Sequence, residues 1–126
     1  MLYSLPTPTH FRGMQIVRLL RNVLVEARLG DTPQCNDLTA LMGDAPDLGL
    51  LYAHVLASME LLVALREAHA LQLENLERRV KRGTIPRALL QHTLDDPLQP
   101  RIRAALDAAH AWALTVPTEA IYEEDQ

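Results

Sequence analysis

Between Asp47 and Gly83 the chain contains nothing that stops a helix: no proline, and one glycine, Gly49, in the first turn. Its residues are those that lose least on entering a helix, chiefly Leu, Ala, Glu and Arg. The spacing predicts one helix over about residues 47–82, or ~54 Å at ~1.5 Å per residue. A chain of this length folds to a radius of gyration near ~14 Å. A straight rod that long must therefore project from its own domain, and everything else has to be arranged around it.

The rod changes character along its length. Residues 48–65, LGLLYAHVLASMELLVAL, are apolar almost all round, as expected of a helix covered on several sides. His54 and Glu60 interrupt this run near its middle, where charge in lipid is costly, so a bundle helix is expected and a membrane span is not. Beyond Arg66 the apolar pattern narrows to Leu73, Leu76 and Val80. With Leu51, Val55, Met59 and Leu62 these residues form a seam at spacings of three and four, broken by Arg66 and His69. The expectation is that this seam faces a partner or a second copy.

The remaining segments read as shorter helices. Residues 1–7 form a proline-punctuated strap, and Thr7 before Pro8 caps a first helix reaching about Leu29, with Gly30 as its left-handed stop. Thr32-Pro33 opens a second helix that ends at Gly43, and Asp44-Ala-Pro-Asp47 starts the rod. After Gly83, Thr84 is placed to cap a short helix. Asp95-Asp96-Pro97 then opens an alanine-rich helix around Trp112 that ends before Pro117. Residues 117–126 carry four carboxylates and read as an acidic tail. Aromatics are 4% of the chain and no segment alternates like a strand. The expected fold is all-α: a single domain over residues 1–126, about five helices around one long central helix.

The most charged stretch ends the rod: Arg78, Arg79, Lys81 and Arg82, followed across Gly83 by Arg87. Cations in a helix's last turn complement its negative dipole end, each for roughly 0.3–1 kcal/mol, so helix termination accounts for four of the five. As an alternative the same five residues form a phosphate-binding corner. Net charge of −4 argues against a protein steered as a whole to nucleic acid or anionic lipid. The lone Cys35 excludes an internal disulfide and fits a reducing, cytoplasmic setting. It reads as a small buried thiol.

Signatures of chemistry are missing. The chain has no GxxxxGK[ST], GxGxxG, CxxC, HExxH or GxSxG, and His69 has Glu67 and Glu74 nearby only at offsets unsuited to sharing a metal, so neither cofactor nor metal is expected. His54 and His69 read as hydrogen-bonded core or interface histidines. One pattern resembles a known family. Arg87-Ala-Leu-Leu-Gln-His92 and Arg103-Ala-Ala-Leu-Asp-Ala-Ala-His110 resemble the Arg-x(4–6)-His element of HEPN ribonucleases, small helical bundles that dimerise to cleave RNA. The resemblance would make Arg87, His92, Arg103 and His110 catalytic, although Ala88 and Ala104 stand where that family has a polar residue. Three readings follow, in order. The first is a non-enzymatic interaction protein, a subunit, adaptor or regulator, working through apolar helix contacts. The second is a nucleic-acid-associated subunit using the arginine corner, and the third is a ribonuclease of the HEPN kind.

Overall fold

The computed structural model describes residues 7–43 and 46–121. The strap as far as residue 6, the first two residues of the Asp44-Ala-Pro-Asp47 start signal and residues 122–126 lie outside that description. The fold is all-α: α1 (Pro8–Glu26), α2 (Pro33–Leu41), α3 (Leu48–Lys81), α4 (Arg87–Leu94), α5 (Leu98–Ala113) and the single turn α6 (Thr118–Ile121). The rod is 34 residues long, about 51 Å by helical rise.

Three helices begin on side-chain caps at the expected residues. Thr7 accepts from the His10 N–H with Pro8 at the first helical position, Thr32 accepts from Cys35, and Asp47 accepts from Leu50 at 2.8 Å. Each bond satisfies a donor that the first helical turn would otherwise leave unpaired. Two expectations about capping fail. Helix α1 stops at Glu26, and the left-handed residue behind it is Arg28 at φ 64°, not Gly30. Leu29 N–H reaches Leu24 C=O and Arg28 N–H reaches Val25 C=O, so hydrogen bonding overrides the glycine preference two residues early. Thr84 does not cap α4. Its hydroxyl and its N–H both go to Arg79 C=O, closing α3 behind Gly83 (φ 73°), while Pro86 takes the cap position of α4 without a side-chain bond.

The core sits around the first half of α3. Val17, Leu20 and Leu24 of α1, Leu38 of α2, Leu51, Val55 and Leu62 of α3, and Ile102, Ala105, Ala109 and Trp112 of α5 are all buried in one cluster. Helices α1 and α5 run antiparallel. Trp112 Nε1 donates to Thr9 C=O at one end, and Arg101 pairs with Glu26 at 2.7 Å at the other. Helix α3 packs against each of the other five.

Part of the expected acidic tail is folded. Thr118–Ile121 makes a helical turn that buries Ala120 against the start of α3. There Gly49 has a purpose beyond weakening a turn, since a Cβ at this position would stand 2.6 Å from the Ala120 carbonyl oxygen.

Candidate functional site

At about 100° per residue, Leu51, Val55, Leu62, Leu73, Leu76 and Val80 fall within roughly 60° of arc on α3. That seam is intramolecular over its first half: Leu51, Val55 and Leu62 are 0% exposed. The expectation that these three face a partner is corrected, because α1 and α5 already cover them. Along the second half Leu73, Leu76 and Val80 are half-buried. Helix α4 folds back on this side, with Leu90 buried and His69 Nε2 standing 3.3 Å from Thr93 C=O. Different helices cover successive parts of this one stripe, so a seam that reads as continuous has different neighbours along its length.

Met59 stands outside the seam and belongs to a second stripe. Leu56, Met59, Glu60, Val63, Ala64 and Glu67 line an open groove of about 390 Å³ made by α3 alone. Its centre is rotated roughly 140° from that of the seam. Leu56, Met59 and Val63 are only partly buried there, Met59 and Val63 with one side against the core, and Leu71, one turn beyond Glu67, is 65% exposed. Among the described residues α3 is the one helix long and apolar enough to cross a membrane, and 33% of its most apolar window is buried. The buried third is the face held by α1 and α5.

The far end of α3 carries the cations. Arg78, Arg79, Lys81, Arg82 and Arg87 are all exposed, and among the described residues none of them forms an ion pair. Between this end and the core lies a cleft of about 380 Å³ lined by His69, Gln72, His92, Thr93, Asp95 and Asp96. Asp96 accepts from the Leu98 N–H at 3.0 Å and from the Gln99 side chain. The Leu98 bond, then Gln99 and the nearby imidazoles, hold its carboxyl below the usual carboxylate value. No sequence pattern marks this cleft, since His69 and His92 are 23 residues apart and meet only because α4 folds back.

No family model, no curated protein and no solved structure matches the chain. Function therefore has to be argued from the surfaces just described.

The remaining candidates are dispersed. Arg103 and His110 share the exposed face of α5, whereas Arg87 and His92, both exposed on α4, stand about 140° apart around that helix. Cys35 is buried, with its N–H on Thr32. His54 is half-buried and 3.8 Å from Asp37. Among the described residues no three His, Cys, Asp or Glu side chains are placed to hold a metal ion. Sequence reasoning passed over His10, which is buried with Nδ1 unpartnered at the start of α1.

Proposed function

We propose that the chain is a cytoplasmic, non-enzymatic interaction protein that associates through the outer apolar stripe of α3. One observation carries this reading: the rod is sheathed on one side only. Nothing beyond Leu62 on α3 is buried, and Leu56, Met59 and Val63 line a groove that no other helix fills. Apolar area left in water is a standing cost that a helix laid along the groove would remove, at roughly 25 cal/mol per Å².

Molar mass measured over a range of concentrations tests the reading. The wild type is expected to exceed the 14.1 kDa of one chain, and the excess should persist in high salt, as for apolar contacts. The double variant Leu56→Glu/Val63→Glu should run as a single chain with an unchanged helical signal. A wild type that stays at one chain's mass at every concentration overturns the proposal. Recovery only in a detergent phase would do the same, by assigning α3 to a bilayer.

A further inference from the structure

We propose that the tip of the α3–α4 arm docks into the major groove of duplex DNA. The carrying observation is the arrangement of the cations around the rod. At about 100° per residue, Lys81, Arg78, Arg82 and Arg79 follow one another over roughly 160° of arc. Lys81 and Arg79 thus point to opposite sides, with Arg78 and Arg82 between them. A flat anionic surface, such as a sheet of lipid headgroups, can face one side of that arc. The two phosphate walls of a groove can face both. The B-form major groove is about 12 Å wide and admits one α-helix.

The covered side of the arm agrees with this geometry. Helix α4 lies on the His69 side of α3, roughly opposite the centre of the cation arc. It backs the rod and leaves the cationic side free. Three of these four cations are arginines, whose planar forks match phosphate oxygens in pairs. Arg87 adds a fifth charge across the Gly83 turn. The negative dipole end of α3 disfavours a phosphate, but α4 begins at the same corner and presents its positive end. Glu74 and Glu77 lie one turn below Arg78 and Lys81, but neither closes an ion pair with them. The tip exposes Gly83, Thr84 and Pro86 and keeps Ile85 partly buried, which leaves little apolar wedge to anchor it in lipid.

The test uses the full chain and three labelled probes: a DNA duplex of about 20 base pairs (two helical turns), an RNA duplex of the same sequence, and vesicles of phosphatidylserine in phosphatidylcholine. DNA binding is expected to weaken with salt, with a log–log slope of roughly −3 to −4 for about four phosphate contacts. RNA should bind more weakly, since the A-form major groove is too deep and narrow for a helix. Arg78→Gln/Arg79→Gln/Arg82→Gln should lose about tenfold or more in affinity and flatten the slope. A control removing equal charge from α1 and α5, Arg12→Gln/Arg18→Gln/Arg103→Gln, should bind as the wild type does. Should the tip triple melt early, Arg79→Gln/Lys81→Gln removes the two opposed cations and carries the same expectation. Absence of DNA binding, equal loss in tip and control variants, RNA binding as tight as DNA, or binding to vesicles alone would each overturn the proposal. A monomer that still binds DNA through the tip would leave it standing, so its failure is separate from that of the association reading.

Discussion

The two halves of α3 share one apolar stripe but differ in how it is covered. Up to Leu62 the helix buries Leu48, Leu51, Val55, Ser58 and Leu62, and Ser58 turns its hydroxyl to His54 C=O so that no polar atom is stranded. Beyond Leu62 the same stripe continues, but its leucines are half-buried against one short helix. What differs is the number of neighbours. A heptad-like stripe specifies that a face will be covered; it does not specify how well or by what.

The largest expected effect separates the halves by packing. Leu62→Ala should destabilise by about 2–5 kcal/mol, because a fully enclosed site cannot collapse around the missing atoms. Leu73→Ala, at a site only partly buried to begin with, should cost about 1 kcal/mol or less. Denaturant midpoints for the two variants measure the contrast, and equal losses would mean that the distal half is as well packed as the proximal one.

A smaller effect sharpens the same comparison at the ends of α1 and α3, which close with the same hydrogen-bond pattern on different residues. Gly83 at φ 73° suits that conformation, and Arg28 at φ 64° is strained in it. Gly83→Ala should cost about 1 kcal/mol, while Arg28→Gly should gain roughly 0.5–1 kcal/mol. Thermal melting of both variants gives the signs, and a loss from Arg28→Gly would show that its side chain matters more than its backbone strain.

The smallest effect concerns the elbow that holds α4 and α5 beside the distal half. The carboxyl of Asp96 is held below its ordinary value of 3.8, first by the Leu98 N–H. A folded-state value below the unfolded one stabilises at higher pH, and the contribution is lost as pH falls through the folded value. Stability should therefore decline on acidification from about pH 5 downward. Asp96→Asn should make that decline shallower, as read from urea midpoints at several pH values.

The candidate surfaces were only partly legible beforehand. The five cations of the tip can be picked out from residue types alone, since a charge run at a helix end is exposed almost by definition. The apolar stripe could not be assigned that way. Seven residues were eligible on spacing, yet Leu51, Val55 and Leu62 went fully to the core, while Leu56 and Val63, equally apolar, are only partly buried. The cleft between His69 and His92 was invisible for a related reason: it depends on the direction in which α4 leaves Gly83.

By itself the sequence determined the helices, the caps at Thr7, Thr32 and Asp47, and the length of the rod. These rest on interactions between residues three or four apart, which are fixed before the chain has any tertiary shape. Only the tertiary structure decided which side of the rod is covered, where the chain past Pro117 docks, and that the arginine corner stands on the free side of the arm. Those outcomes depend on which of several apolar faces meet, and the hydrophobic effect that joins them has no direction of its own.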